Sequence, residues 1–130
     1  MRTIRLKWTR YQKMTDARVA FSHTPCVYIQ ADGAGRPVRV GKASCGLEPR
    51  YRGGTGYALD AAAHSSGNLV FVAPVSKKSC DIVERSLIWQ YRGVLTYNNI
   101  GKKTPPNMPV GLLHAGQLPG FPRTSKLVAR

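Results

Sequence analysis

The sequence feature that most constrains the fold is a pair of short alternating segments, residues 26–30 and 37–41, separated by Asp32-Gly33-Ala34-Gly35. The separating residues have turn composition, so the two segments are predicted to pair as an antiparallel hairpin. One face of this hairpin carries the apolar side chains that a core needs, those of Val27, Ile29, Val38 and Val40. The other face presents a phenol, a guanidinium and bare backbone, from Tyr28, Arg39 and Gly41. Together these groups predict a site that handles phosphate.

The charge of the chain predicts a polyanionic partner. Its 130 residues include 20 Lys and Arg but only 6 Asp and Glu, which leaves a net charge of +14. Such an excess opposes compaction by self-repulsion, and acidic residues would serve solubility better than basic ones. The basic residues run from Arg2 to Arg130, and no basic amphipathic helix with an aromatic face stands out. We therefore expect nucleic acid and no membrane as partner, with monomer and homodimer both left open.

The cysteines and the N-terminus predict a cytoplasmic protein. Cys26, Cys45 and Cys80 are odd in number, have no metal-ligand spacing, and are not completed by a histidine into a zinc pattern. We expect reduced, mostly buried thiols. Residues 1–10 interleave charges with apolar residues, so they do not form a signal peptide, and no apolar run has transmembrane length.

Further strands and helices are predicted around the hairpin. Residues 3–9 alternate strictly and predict a half-buried strand at a sheet edge, where Arg and Lys oppose further pairing. A short helix is predicted to start near Thr15-Asp16 and another at Ser44. The apolar run at 69–72 predicts a central strand, and the strongest helix signal spans 77–92.

Glu84 is a carboxylate in an unexpected place. On a 3.6-residue wheel, the helix predicted at 77–92 has one apolar stripe, formed by Cys80, Val83, Leu87, Ile88 and Tyr91. Glu84 falls inside this stripe, while Asp81 and Arg85 point away from it. A carboxylate on an inward face is costly unless a cation or a metal ion compensates it. Both a buried ion pair that ties the helix to the sheet and a functional metal ligand are consistent with this position.

The order of these features resembles that of the GIY-YIG nuclease family. Cys26-Val27-Tyr28 stands at the place of the first tripeptide of the family, and Arg39-Val40-Gly41 stands at the second, followed by Lys42. Arg50 lies near the helical arginine of the family, Glu84 matches its metal-binding glutamate, and Asn98 or Asn99 matches the asparagine that follows. The resemblance spans residues 25–99.

The resemblance implies an α+β fold with a small three-stranded antiparallel sheet flanked by helices. We expect a single domain with three parts. Residues 1–24 form an N-terminal extension that contributes an added strand and packs on the core, and residues 25–100 form the nuclease-like core. Residues 101–130 form a basic, Pro- and Gly-rich segment that is predicted to be irregular.

The resemblance also implies a divalent-metal-dependent endonuclease that hydrolyses phosphodiester bonds, with DNA favoured over RNA. Glu84 and waters would bind Mg²⁺ or Mn²⁺, and Arg50 would stabilise charge on the transition state. Tyr28 would orient or deprotonate the attacking water, with Arg39 or Lys42 favouring its ionised form. Further expected nucleic-acid contacts are Tyr51, Arg52, Lys77, Lys78, Asn98, Asn99, Lys102 and Lys103, and His23 is a candidate for proton transfer.

Two positions depart from the pattern of the family. Cys26 replaces the first glycine, which a strand tolerates. Arg39 stands where the family has a second tyrosine, so one hydrogen-bonding phenol is missing. Arg39 would either hold the phosphate and keep the activity, or mark a basic module on the same fold that binds nucleic acid without cutting it.

Overall fold

The computed structural model describes residues 2–12, 14–31, 36–48, 69–93, 95, 106, 110–117 and 124–127. Within these ranges the chain forms an α+β fold, in which a mixed six-stranded sheet has the strand order β3-β2-β4-β1-β5-β6. None of the described helices is long and apolar enough to cross a membrane. The elements in chain order are β1 (Arg2–Tyr11), α1 (Met14–Ala20), β2 (Cys26–Ala31), β3 (Pro37–Ala43), β4 (Leu69–Pro74), a 3-10 turn (Lys77–Ser79), α2 (Cys80–Gln90), β5 (Val110–Gly116) and β6 (Thr124–Leu127).

Each face of the sheet carries its own core, because neighbouring residues of a strand point to opposite faces. On one face, Val27 and Ile29 of β2 pack with Phe71 of β4 and with Val83 and Leu87 of α2. On the other face, the side chains of α1 pack over β2 and β4, in a cluster that includes Met14, Ala17, Tyr28, Val70 and Val72. The two faces are called the α2 face and the α1 face below.

The predicted hairpin and the predicted stripe of α2 are confirmed. β2 and β3 pair antiparallel, with Ile29 opposite Val40. The helix predicted at 77–92 consists of the 3-10 turn followed by α2, and the helix predicted near Thr15-Asp16 is α1. All the residues of the predicted stripe are buried, namely Cys80, Val83, Leu87, Ile88 and Tyr91.

The prediction that the N-terminal strand lies at a sheet edge is wrong. β1 pairs antiparallel with β4 at residues 9–11 and parallel with β5 along residues 2–8. The partner comes from the C-terminal segment, which was predicted to be irregular but contains β5 and β6 in its described residues. The sheet is therefore neither three-stranded nor purely antiparallel. The local sequence concealed β5 because glycine and alanine make up much of Val110–Gly116, and both are poor strand formers.

A buried Trp8–His114 pair joins β1 to β5. The indole Nε1 of Trp8 donates a hydrogen bond of 3.0 Å to Nδ1 of His114, and the two rings stack with centroids 6.1 Å apart. The accepting nitrogen must be unprotonated, so this bond requires the neutral imidazole. Burial lowers the pKa of His114 to about 4.

We expect this histidine to make the fold sensitive to acid. The unfolded chain binds the proton near pH 6.5, whereas the folded protein binds it only near pH 4, so acid favours the unfolded state. Between pH 7 and pH 5 the free energy of unfolding should fall by about 2 kcal/mol from this group alone. Urea unfolding at the two pH values should show the fall in the wild type and in His23→Asn, whose histidine is exposed. An equal fall in His114→Asn would contradict the assignment.

Candidate functional site

A compact charged cluster lies where the end of β3 meets the start of α2. We call it the Lys42 cluster, and it consists of Lys42, Ser44, Cys80, Asp81 and Glu84. Lys42 Nζ lies 2.7 Å from Asp81 Oδ1, and Arg85 Nε lies 3.0 Å from Asp81 Oδ2. The ion pair with Asp81 of α2 places the side chain of Lys42 on the α2 face. The strand register agrees, because Lys42 lies opposite Val27, a residue of the α2-face core.

Glu84 is half-buried on α2, one helical turn after Cys80. Glu84, which was predicted to point inward, therefore lies at the margin of the buried stripe, between the core and the solvent. Glu84 and Lys42 act in opposite directions on the same group: the carboxylate raises the pKa of the Cys80 thiol and the ammonium lowers it. The two side chains that were predicted separately, one on a strand and one on a helix, thus come together around one thiol.

The electrostatics of the cluster favour a charged carboxylate and a neutral thiol. The hydrogen bond from Lys42 is the largest cause that lowers the pKa of Asp81, and Arg85 adds to it. Burial raises the pKa of Cys80, against the hydrogen bond from the Ser44 hydroxyl and the charge of Lys42. Burial and the neighbouring Cys80 raise the pKa of Cys26 to about 12. Neither thiol is a nucleophile near neutral pH, since thiolate is the reactive form.

The cysteines were predicted to be mostly buried, and two of the three are. Cys26 and Cys80 are buried, whereas Cys45 is exposed, and all three are free thiols. The exposed Cys45 lies in the turn that follows β3, where alternation no longer predicts burial.

Tyr28 lies on the other face of the sheet and is fully buried, with an exposed fraction of 0%. Its ring covers the backbone of Gly41, its partner across the hairpin, so that a Cβ on Gly41 would overlap the phenol and stand 2.6 Å from ring atom Cε2. The bare backbone that the sequence offered for phosphate is therefore occupied by the tyrosine. A glycine is required at this position because it makes room for the ring.

Arg39 shares the face of Tyr28 and is half-buried. It pairs across the hairpin with Gln30, which lies two residues after Tyr28 on β2 and is buried. The structure thus divides the described catalytic candidates into two groups. Tyr28 and Arg39 belong to the α1 face, whereas Lys42 and Glu84 belong to the α2 face.

The segment after β3 is docked onto the segment before β2. Leu47 N donates to Phe21 O at 2.8 Å, and Glu48 N donates to Ser22 O at 3.0 Å. Gly46, with φ of 91°, lies against this segment. The chain turns at 44–46 and closes with a bond from Gly46 N to Ala43 O at 3.1 Å, so the helix predicted to start at Ser44 does not start there, and Glu48 is the first helical residue after this turn.

A bidentate ion pair reinforces this docking. Arg18 of α1 donates from Nε and Nη2 to the two oxygens of Glu48, at 2.6 and 2.9 Å. Planar guanidinium and carboxylate groups fit each other in this way, and the pair is only partly exposed. The contacts fix the chain two residues before Arg50. His23 lies in the segment before β2, where it is exposed and its backbone lies against Gly46.

The remaining predicted contacts divide into described and undescribed residues. Lys77 and Lys78 are exposed on the 3-10 turn that leads into α2, one turn before Asp81, and so lie at the same end of α2 as the Lys42 cluster. Seven predicted residues lie outside the described ranges: Arg50, Tyr51, Arg52, Asn98, Asn99, Lys102 and Lys103.

Sequence reasoning missed Asp81 and Ser44 as members of the cluster. The wheel placed Asp81 away from the apolar stripe, and it is indeed exposed, yet it binds Lys42. A signal was present, since Asp81 and Arg85 are four residues apart, the spacing of a helical ion pair. Ser44 gave no comparable signal, because its contact with Cys80 depends on how α2 packs on β3.

In comparisons with known proteins, no family model, no curated protein and no solved structure matches the chain.

Proposed function

We propose that this protein is a divalent-metal-dependent endonuclease that hydrolyses phosphodiester bonds in nucleic acid, with DNA favoured over RNA. The observation that carries the proposal is that the half-buried carboxylate of Glu84 and the ammonium of Lys42 lie on the same face and both act on the Cys80 thiol, in a chain with a net charge of +14. A carboxylate suits a metal ion, an ammonium suits a phosphate oxygen, and the excess of positive charge suits a polyanionic substrate.

The donor set at Glu84 fits Mg²⁺. This ion keeps several water ligands and is commonly bound through one or two carboxylates together with the phosphate of the substrate. Within the described residues no three or more His, Cys, Asp and Glu are arranged so that together they could hold a metal ion, so Glu84 is proposed here as a single protein ligand. Glu84 would hold the ion, which when bound supplies Lewis-acid stabilisation of a phosphate oxygen.

Lys42 and Arg50 would bind the scissile phosphate. The ammonium of Lys42 has three donors, of which one bonds to Asp81, so it can also reach a phosphate oxygen. The bond to Asp81 keeps that ammonium on the α2 face, which is also the face of Glu84. Arg50 remains a prediction from the family resemblance, and its guanidinium would stabilise charge that develops on the phosphate oxygens.

In this proposal Tyr28 supports the hairpin and does not touch the attacking water. Its side chain is fully buried on the face opposite Lys42 and Glu84, with its ring against Gly41. The role that the resemblance implies for this tyrosine is therefore not part of the proposed mechanism.

A second function, a basic module that binds nucleic acid without cutting it, is favoured by one observation. Tyr28 and Arg39 occupy the two tripeptide positions, yet the first is closed to solvent and the second is not a phenol. Both functions predict binding that weakens steeply with salt, so binding alone does not separate them.

A comparison of DNA cleavage by the wild type and by Glu84→Gln separates the two functions. Supercoiled plasmid and labelled single-stranded DNA should be cut by the wild type with Mg²⁺ or Mn²⁺ and should stay intact in EDTA. Loss of the carboxylate should slow cleavage by at least about 100-fold. Even the mutation of a residue that only orients a metal ligand typically lowers metal affinity or activity by about 10–100-fold. Asp16→Asn is the matched control, because it removes one carboxylate charge from an exposed residue of α1, on the face opposite the Lys42 cluster.

Three outcomes decide the proposal. Cleavage by Asp16→Asn but not by Glu84→Gln supports it. Equal products from the wild type and Glu84→Gln would contradict it, as a site without the carboxylate would then suffice. Intact substrates that are nevertheless bound by the wild type would replace the nuclease with the binding module.

A further inference from the structure

One face of β1 is basic and exposed although the strand lies inside the sheet. Ile4, Leu6 and Trp8 point to the α2-face core, so the alternating residues Thr3, Arg5 and Lys7 lie on the α1 face. These three residues are exposed. We call them the β1 strip.

The neighbouring strand leaves the strip open. In the parallel register, Thr3 lies beside Gly111, Arg5 beside the half-buried Leu113, and Lys7 beside the exposed Ala115. Alanine has only a methyl group, so Lys7 stands above its neighbour on β5, and Arg5 is exposed although it lies beside Leu113.

Helix α1 covers a different part of the same face. Its buried residues Met14 and Ala17 pack with Tyr28, Val70 and Val72, which belong to β2 and β4. The helix therefore covers the hairpin side of the sheet, while the side formed by β1 and β5 presents the β1 strip.

We propose that the β1 strip binds the phosphodiester backbone of nucleic acid, as a contact separate from the Lys42 cluster. Neither β1 nor β5 contains an acidic residue, so nothing on these two strands neutralises Arg5 and Lys7. Arg5 and Lys7 are about 7 Å apart along the strand, which lets them contact neighbouring phosphates of one extended strand.

The charge of the face selects this occupant over the others. A second copy of the chain would bring an equally basic strip against the first and would be repelled. The choice of a nucleic-acid backbone, rather than another polyanion, rests on the partner in the proposed function. The strip lies on the face opposite Lys42 and Glu84, so the substrate would wrap past the sheet edge or bind as two separate segments.

The chain offers a matched control for charge. Arg2 and Arg10 are also exposed residues of β1, but they lie on the other face, opposite Val110 and Phe71 of the α2-face core. The variants Arg5→Ser/Lys7→Ser and Arg2→Ser/Arg10→Ser lower the net charge from +14 to +12 equally, because each removes two of the 20 Lys and Arg.

Binding of a labelled 30-base-pair duplex and of its single strand, in EDTA over a range of salt concentrations, tests the proposal. A plot of log binding constant against log salt concentration has a negative slope. In Arg5→Ser/Lys7→Ser this slope should become less steep by about 2, one for each lost phosphate contact. The slope should change by less than half as much in the control variant. Thermal unfolding of both variants should match the wild type, because all four side chains are exposed.

Each result has one meaning. Equal slopes in the two variants would overturn the proposal, since net charge rather than the strip would then explain binding. Loss of binding to polyglutamate but not to DNA in Arg5→Ser/Lys7→Ser would overturn it in favour of an acidic protein partner. A specific loss of DNA binding supports it, whether or not the wild type cleaves DNA, so the strip and the nuclease proposal fail separately.

Discussion

Alanine at position 46 is expected to unfold the protein or to lower its free energy of unfolding by more than about 3 kcal/mol. Gly46 has φ of 91°, a conformation that costs an alanine about 1–2 kcal/mol. A Cβ there would also overlap Ser22 O and His23 Cα and stand 2.6 Å from His23 N. These are backbone atoms, held by the hydrogen bonds from Leu47 to Phe21 and from Glu48 to Ser22. A change of side-chain rotamer therefore cannot relieve the overlap.

Urea unfolding of Gly46→Ala against Gly93→Ala measures this effect. Gly93 has open space around the place where a Cβ would stand, so its replacement should change stability by no more than about 0.5 kcal/mol. Equal stability of the two variants would contradict the docking of residues 46–48.

Alanine at position 41 is the second substitution with a large expected effect, about 3 kcal/mol of destabilisation. The new methyl group would occupy the space of the Tyr28 phenol. Tyr28 is fully buried and packs with Val70 and Val72, so the ring cannot swing into solvent without opening that core.

A double-mutant cycle with Tyr28→Leu identifies the cause. Leucine does not extend over Gly41 as the phenol does, so the double variant Tyr28→Leu/Gly41→Ala should be within about 0.5 kcal/mol of Tyr28→Leu alone. The two single effects would then be strongly non-additive. Additive effects would mean that Gly41 is needed for a reason other than the ring of Tyr28.

Much of the local structure could be predicted because it repeats at short range. The alternation of β2 and β3 and the stripe of α2 follow from the positions of apolar residues. The sheet as a whole could not be predicted. Its middle depends on β1 pairing with β5, two segments that are more than 100 residues apart in sequence.

The candidate site was predicted as a set of residues but not as an arrangement. Glu84 was identified because an acid inside an apolar stripe is costly, and it lies at the margin of that stripe. Pattern alone did not show that Lys42 shares its face while Tyr28 and Arg39 take the other. Nor did it identify Asp81 as the residue that holds Lys42 in place.

The sequence by itself determined the hairpin, the buried face of α2 and the positive charge, because these depend on composition and on periods of two and 3.6 residues. Only the tertiary structure decided what the special residues of the hairpin do. Gly41 is a glycine because a ring must lie on it, and Lys42 faces Asp81 because α2 packs on β3. The first depends on α1 covering that face of the hairpin, and the second joins residues 39 positions apart in sequence, so local patterns did not show either.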